Sequence, residues 1–232
     1  MSQAQESNVL SSCPGQTRLT KVSRIPKNPK KCYIIWSDGS EYKGECRNNQ
    51  IDGYGRYIFA DGSEYIGFWK DSCKHGLGCL RYKNGDIYKG SFINDMVRGE
   101  GVLTYNINER GKRVYVGEFY NNLMYGYGKL YYFDNEQGNY ELQYIGGFKN
   151  NRFNGIGMCF HENGNKFYEG HFANGEPCGE GILYDEEGNI KEKSYYILGK
   201  HQKDLSNTRE IKLKKKLDRL LKFQLFYIHH NT

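Results

Sequence analysis

The sequence predicts an all-β repeat array, an elongated and twisted antiparallel meander of stacked β-hairpins, followed by a C-terminal amphipathic helix. Three observations predict this architecture. A Tyr-x-Gly motif and a later Gly-x-Gly recur six times with one spacing. Asp-Gly or Asn-Gly dipeptides, which favour tight hairpin turns, stand between several copies. Self-similarity at a period of this length is typical of arrays in which each unit packs on its neighbours.

The N-terminal segment, residues 1–31, precedes the first copy and shows no hydrophobic periodicity. It carries a net charge of +5 and three of the four prolines in the chain. A segment of this composition cannot bury enough apolar surface to compensate for its loss of chain entropy on ordering. We therefore predict a basic, disordered tail over residues 1–31.

The array itself is predicted over residues 32–199. In a strand, residues two apart share a face, so the Tyr, the Gly and the aromatic residue that opens each copy lie together. The repeat-defining residues are Tyr42, Gly44; Tyr65, Gly67, Trp69; Tyr88, Gly90, Phe92; Tyr115, Gly117, Phe119; Tyr144, Gly146, Phe148; and Tyr168, Gly170, Phe172. The first copy departs from the pattern with Cys46 in the aromatic position.

The Gly-x-Gly pair begins eleven residues after the Tyr in every copy, and predicts the second strand of the hairpin. Glycine weakens a strand, and inside one it often marks a close approach of another group to the backbone. We expect a Tyr or Phe ring from a neighbouring strand to lie flat on each bare glycine. Aromatic contacts across strands then offset part of the lost stability.

The array departs from regularity in its middle and at its ends. The Tyr-to-Tyr periods are 23, 23, 27, 29 and 24, so two adjacent copies carry insertions, at 106–113 and 134–143. Both fall at the same hairpin turn, and we expect two exposed loops side by side on one edge. Loops on a rigid scaffold commonly carry recognition, so Asn108, Arg110, Lys112 and Arg113 are candidate partner contacts. A half-repeat around Trp36 and a degenerate strand at 195–199 close the ends.

The C-terminal segment, residues 200–232, is predicted to form a basic amphipathic helix from about Asn207 to Ile228. Asn207 and Glu210 resemble a capping box, and leucines between Leu213 and Leu225 fall on one face. The helix could cap the last hairpin or lie along the aromatic face, bind an anionic membrane, or pair with a partner helix. The candidate contacts are Lys212, Lys214, Lys215, Lys216, Arg219 and Lys222.

The composition argues against several functional classes. The seven cysteines form no Cys-x-x-Cys pair, and we expect reduced, small apolar fillers in a cytoplasmic protein. The Cys and His residues near Cys73 and Cys159 do not supply four ligands at zinc spacing. The glycine pairs lack the following Lys-Ser or Lys-Thr of a phosphate-binding loop. We therefore predict no catalytic residue, no metal and no cofactor, and hence no enzyme.

The six copies resemble MORN repeats (membrane occupation and recognition nexus), through the Tyr-x-Gly-x-Phe/Trp opening and the later Gly-x-Gly. The resemblance covers residues 32–199. It implies a non-enzymatic scaffold for protein interactions, part of a cytoskeletal, ciliary or flagellar assembly such as an axoneme. His161 and Asp185 depart from the pattern, since Tyr or Phe is expected there.

Two other functions remain open. The chain could be a peripheral membrane protein that binds anionic phospholipids through its tyrosine-rich face and helix lysines. It could also be a regulatory adaptor of a lipid-signalling enzyme. The expected partners are other cytoskeletal or ciliary proteins, or anionic lipids. Formation of a homo-oligomer is compatible with the sequence, and no nucleic acid is expected. The expected location is cytoplasmic and cytoskeleton-associated, with a membrane-peripheral location as the alternative.

Overall fold

The fold is a single antiparallel sheet. A computed structural model describes residues 19–24, 30–48, 50–108, 111–197 and 199–201, and only the backbone of residues 19–24, 108 and 201. These residues form sixteen strands whose order along the sheet equals their order along the chain. The predicted all-β meander of stacked hairpins is confirmed. The predicted C-terminal helix lies outside the described residues.

The strands follow one another through short turns, each paired with the strand before it and the strand after it. In chain order they are β1 (Leu19–Arg24), β2 (Lys31–Trp36), β3 (Glu41–Arg47), β4 (Gln50–Ile58), β5 (Glu64–Lys70), β6 (Cys73–Arg81), β7 (Ile87–Ile93), β8 (Met96–Asn108), β9 (Gly111–Tyr120), β10 (Leu123–Asp134), β11 (Tyr140–Lys149), β12 (Arg152–Phe160), β13 (Lys166–Ala173), β14 (Glu176–Tyr184), β15 (Ile190–Ile197) and β16 (Lys200–His201).

The sheet begins earlier than the sequence indicated. Strand β1 pairs with β2 from Leu19 opposite Trp36 to Arg24 opposite Cys32. The prediction of disorder therefore does not hold for these six residues, because β2 offers an edge that a short extended segment can pair with. Residues 1–18 and 25–29 of the predicted tail lie outside the described residues.

Two kinds of turn alternate along the chain. Within the second to sixth repeats, two residues with positive φ connect the strands, as in Asn94-Asp95 and Asn121-Asn122. Two left-handed residues define the type I′ hairpin, whose twist matches that of the strands. Between repeats, the Asp-Gly and Asn-Gly sites close three-residue loops, as where Gly62 N–H donates to Phe59 O and Phe59 N–H donates to Ser63 O. Both turns thus use residues that tolerate positive φ.

The core is a single layer of aromatic rings on one face of the sheet, here called the inner face. The six motif tyrosines are at most 2% exposed. From the second repeat on, each ring meets the aromatic residue of its own repeat and that of the next edge-to-face, as Tyr65 does with Trp69 and Phe92, both at 5.0 Å between centroids. Edge-to-face pairs of this kind add stability beyond the area they bury. A continuous row of such contacts runs from Tyr42 to Tyr196.

The glycines accommodate these rings. As expected, a ring from the neighbouring strand lies on the second glycine of each Gly-x-Gly, but the same ring also covers the glycine of its own Tyr-x-Gly. The Tyr65 ring covers Gly67, two residues ahead of it, and Gly78, which pairs with Gly67 on the next strand. A Cβ on Gly78 would lie 2.5 Å from Tyr65 Cζ. The Tyr65 hydroxyl reaches past both glycines and donates to Phe68 O at 2.9 Å. All six motif tyrosines make this bond to the residue three positions ahead.

The two glycines of each Gly-x-Gly serve different purposes. The second one makes room for the tyrosine ring. The first one, such as Gly76 with φ +70° or Gly126 with φ +65°, adopts a left-handed backbone. It lies in a bulge, because the register shifts between the glycine pair and the aromatic residue of the preceding strand. The Gly-x-Gly motif therefore reflects two separate requirements: a left-handed backbone at its first glycine and space for a ring at its second.

Hydrogen bonds through the type I′ turns tie each repeat to the one before it. Asn122 N–H donates to Val97 O at 3.1 Å, and Asn122 Oδ1 accepts Val97 N–H at 2.8 Å. Asn151 makes the same pair of bonds with Met124, and Asp95 with Lys74. These turn residues, which the sequence marked only as a polar loop, therefore act as clamps between repeats.

The prediction that all cysteines are reduced and act as small apolar fillers is wrong for one pair. Cys32 on β2 and Cys46 on β3 form a disulfide, with their Cα atoms 6.1 Å apart. Cys46 stands where later repeats have an aromatic residue, so the disulfide joins the half-repeat to the first full repeat where no ring is present. Cys73, Cys79, Cys159 and Cys178 remain thiols and are partly buried, as expected for fillers.

Candidate interaction surfaces

The inner face offers little exposed chemistry. Burial is the main factor that raises the pKa of the motif tyrosines, far above the ordinary value of 10.0. Burial likewise raises the pKa of the Cys159 thiol to about 11. The phenols are therefore neutral at physiological pH, and their hydroxyl protons are engaged by backbone carbonyls. Groups in this state maintain the sheet and do not act as acids, bases or nucleophiles.

The opposite, outer face carries exposed apolar side chains in a row, here called the outer ridge. Its members are Tyr54, Phe68, Leu77, Tyr127 and Ile156, which are 50–68% exposed. Four of them are the central residue of a Gly-x-Gly, and Phe68 lies directly opposite Tyr54, with 5.4 Å between ring centroids. Equivalent positions of adjacent repeats are two strands apart, about 9.6 Å. The ridge is thus a row of exposed apolar side chains whose regular spacing is set by the spacing of the strands.

The centre of this row is acidic. Glu100 takes the Gly-x-Gly position between Leu77 and Tyr127, and it lies directly opposite Glu118, with both side chains exposed. Like charges opposite each other on a sheet are destabilising. Glu118 also accepts the Tyr127 N–H at 3.2 Å, so its carboxylate supports the bulge. A cationic group of a partner would relieve the repulsion between the two carboxylates.

Most of the residues of the two insertions form longer strands, and the expected exposed loop is limited to residues 135–139 of the second insertion; residues 109–110 of the first lie outside the described residues. Asn106 pairs with Lys112 and Asn108 with Gly111, and β10 continues alongside as far as Asp134. Gly111 is buried beneath the Tyr132 ring. A Cβ at this position would lie 2.5 Å from Tyr132 Cζ. The insertion therefore repeats the ring-on-glycine contact of the motif. Ring packing of this kind favours strand over loop, and it could have been predicted only by recognising Tyr132 and Gly111 as a pair.

The candidate contacts predicted in the first insertion all fall within the sequence of the extended hairpin β8–β9. Lys112 is partly exposed on the outer face, whereas Arg113 is exposed on the inner face beside Tyr105, whose pKa is raised by burial and lowered in part by this guanidinium. The side chain of Asn108 and all of Arg110 lie outside the described residues. Lys112 and Arg113, the two of these contacts whose side chains are described, therefore lie on opposite faces of the sheet.

An apolar cluster that the sequence did not reveal lies on the outer face of the extended hairpins, β8–β9 and β10–β11. Val114 is only 8% exposed although it points away from the core. It lies opposite Tyr131, which in turn lies opposite Leu142. Phe133 and Tyr140 continue the cluster with ring centroids 4.6 Å apart, and Tyr140 is 63% exposed. This cluster extends the apolar surface toward the edge of the sheet.

A third feature is an open cavity of about 550 Å³ on the inner face near the C-terminal end, here called the terminal cavity. Its lining includes His161, Phe167, Leu183, Asp185, Glu186, Glu187, Lys191 and Tyr196. His161 and Asp185 are the two departures from the repeat pattern. The cavity therefore appears where the aromatic row ends.

Other candidate chemistry is limited in the part of the chain that the structure describes. No group of three or more His, Cys, Asp or Glu side chains converges there as a metal site would require. Within the same residues, no helix has the length and apolar character needed to span a bilayer. Lys212, Lys214, Lys215, Lys216, Arg219 and Lys222 lie outside the described residues.

Comparison with known proteins agrees with the repeat geometry. A family model for the MORN repeat matches residues 42–64, 65–87, 88–110, 115–137, 144–166 and 168–190, well over half of the chain. Each match begins at one of the six tyrosines whose ring covers a glycine pair. No curated protein matches the chain. The chain therefore belongs to the MORN-repeat family, a non-catalytic type of interaction module.

Proposed function

We propose that this protein is a non-enzymatic scaffold that binds other proteins through its outer face. The observation that supports this most directly is the outer ridge, in which Leu77, Tyr127 and Ile156 are 55–68% exposed on a sheet already stabilised from its inner face. Exposed apolar side chains grouped on one surface and bordered by polar residues often mark a site of protein interaction. The ridge residues contribute little to the core, because they lie on the face opposite the aromatic layer and are at least half exposed.

The acidic residues at the centre of the ridge indicate that the partner carries positive charge at this point of the interface. A partner that covers the apolar residues and places Lys or Arg beside Glu100 and Glu118 would neutralise a repulsive pair. Aromatic and aliphatic anchors surrounded by polar contacts are typical of protein interfaces. We propose that the partner belongs to a cytoskeletal assembly, a ciliary or flagellar one included, where a long rigid surface connects filament components.

The test is detergent extraction of the tagged protein in its native cell. We expect the wild type to remain with filaments or axonemes after extraction. A variant with Leu77→Ser, Tyr127→Ser and Ile156→Ser should be released, whereas a control with Lys43→Ser, Lys89→Ser and Lys129→Ser, three exposed lysines of the same face, should be retained. Release of the wild type, or retention of the ridge variant, would contradict the proposal.

A second candidate is binding to anionic lipid, supported by the net charge of +6 over residues 199–232. Each Lys or Arg near an anionic surface contributes on the order of 1 kcal/mol of binding energy. Co-sedimentation with phosphatidylserine vesicles should then decline steeply with salt. Replacement of Lys214, Lys215 and Lys216 by Glu should abolish it. Binding that survives both changes would exclude this mechanism.

A further inference from the structure

The terminal cavity results from two substitutions in one row of the inner face. Seventeen residues after the motif tyrosine, the first four repeats have Phe59, Tyr82, Tyr105 and Tyr132, whereas the last two have His161 and Asp185. The smaller side chains leave about 550 Å³ between the walls. Phe167, in contact with His161 at 5.1 Å between ring centroids, is left 45% exposed. The cavity therefore has an apolar wall that the described residues do not cover.

The chain leaves the described region beside this wall. Tyr196 lines the cavity, and His201 on β16 pairs directly with it. Paired residues of antiparallel strands have Cα atoms about 5 Å apart. The C-terminal segment, residues 202–232, therefore begins next to the cavity. Because it is attached to the same chain at this point, its effective concentration at the cavity is high.

The charges of the cavity and of this segment are complementary. Asp185, Glu186 and Glu187 form an acidic rim at the turn between β14 and β15. Side-chain amides of Asn163 and Asn165 both donate to Glu186 O at 2.7 Å and hold this turn in place. Residues 202–232 contain eight Lys or Arg and three Asp or Glu, a net charge of +5. Opposite charges of this size favour association at moderate ionic strength.

The segment also carries the apolar surface that the cavity wall requires. Its leucines, Leu213, Leu217, Leu220 and Leu221 among them, fall on one face of the predicted helix. A helix over residues 207–228 would be about 33 Å long, enough to span several strands of the inner face. Lys191 is the one Lys or Arg among the described residues of the cavity lining, so the lysines of the segment are expected on the side of Glu186 and Glu187.

We propose that residues 202–232 fold back onto the terminal cavity of the same chain. The leucine face covers Phe167, Leu183 and Tyr196, and Lys214–Lys216 lie beside the acidic rim. The segment thereby supplies the closing element that the aromatic row lacks at its end. This site lies on the inner face and is separate from the outer ridge, so it does not depend on the proposed function.

Contact is tested with a carbodiimide, which couples carboxylates only to amines that touch them, on a mixture of isotopically light and heavy full-length protein. We expect Glu186 or Glu187 to be coupled to Lys214, Lys215 or Lys216 within one chain. Glu100 and Glu118, the matched acidic pair of the outer face, should not be coupled to these lysines. Cross-links between light and heavy chains, or equal yields at the two acidic pairs, would overturn the proposal.

Hydrogen exchange provides an independent test on the full chain. Three exposed ion pairs together correspond to roughly a tenfold change in the docked population. A Lys214→Glu, Lys215→Glu, Lys216→Glu variant should therefore exchange several-fold faster in β13 and β15 than the wild type, with β5–β7 unchanged as the internal control. A Glu186→Gln, Glu187→Gln variant should reproduce the effect from the other side. Unchanged exchange in both variants would refute the docking.

Discussion

The two faces of this one-layer sheet differ in how strongly their residues are specified. On the inner face, each tyrosine ring covers two paired glycines, and its hydroxyl is bonded to a backbone carbonyl. On the outer face, the residues between those glycines vary from Tyr to Leu, Glu and Ile and are exposed. The same Gly-x-Gly thus contains two fixed positions and one variable position. Stability lies in the inner face, and the outer face is available for recognition.

Alkaline pH should produce the largest difference between the faces. Because burial raises the pKa of six inner-face tyrosines above the unfolded value of 10.0, their contribution is fully present below that value. It is lost as the pH rises above it, at about 1.4 kcal/mol for each tyrosine and each pH unit up to its folded pKa. The urea midpoint should therefore fall steeply above about pH 10. A midpoint that stays constant to about pH 12 would disprove this assignment.

Substitutions at two neighbouring residues of one Gly-x-Gly show how much each face contributes to stability. In Gly78→Ala the new Cβ would lie 2.5 Å from Tyr65 Cζ. The Tyr65 ring is fully buried between Trp69 and Phe92. We expect a loss of about 1–3 kcal/mol or more in the free energy of unfolding. Leu77→Ala removes a side chain that is 64% exposed and should change stability by less than about 0.5 kcal/mol. Equal denaturation midpoints for the two variants would contradict our account of the glycines.

The clamps between repeats can be isolated at one turn. Asn121 and Asn122 both have positive φ, so replacing either with Ala causes similar backbone strain. Only Asn122→Ala leaves the Val97 N–H without its side-chain acceptor, and it should destabilise by about 1–2 kcal/mol more than Asn121→Ala. Asn122→Asp should be close to the wild type, since Asp95 performs the same role naturally. If the two alanine variants unfold alike, the clamp is energetically neutral.

Removing one tyrosine hydroxyl should have a smaller effect. Tyr115→Phe retains the ring over Gly117 and Gly128 but loses the bond to Glu118 O at 2.9 Å. The expected loss is about 0.5–1.5 kcal/mol at neutral pH, measured by urea unfolding. The variant should also lose less stability between neutral and alkaline pH, since it has one fewer ionisable group on the inner face. A wild-type pH dependence would show that Tyr115 ionisation does not govern alkaline unfolding.

The smallest effect on stability is expected on the outer ridge. Tyr127→Ser and Ile156→Ser alter side chains that are 55% and 68% exposed. Each should change the melting temperature by no more than about 2 °C, since exposed substitutions usually stay within 0.5 kcal/mol. Binding to a partner should nevertheless decrease. A large loss of stability would show that the ridge belongs to the core and would weaken the proposed function.

The alternation in the motif was sufficient to predict the hairpins, because a strand has a strict period of two and glycine spacing of this kind fits no helix. The repeat-defining residues, from Tyr42 to Phe172, accordingly lie where the periodicity indicated. The candidate site was much less predictable. Val114, Tyr131 and Leu142 are far apart in sequence and become neighbours only through strand register. The pairing of Cys32 with Cys46 likewise depends on two strands lying side by side.

The sequence by itself determined the family, the order of the strands, and the identity of the residues that stabilise the sheet, because each repeat requires the same local geometry. Only the tertiary structure decided that each ring also covers a glycine of its own strand, how the insertions near Gly111 extend the sheet, and where a cavity opens beside Asp185. Those outcomes depend on register and on contacts between repeats. Such contacts are set by the packing of neighbouring strands, and no local pattern in the chain encodes them.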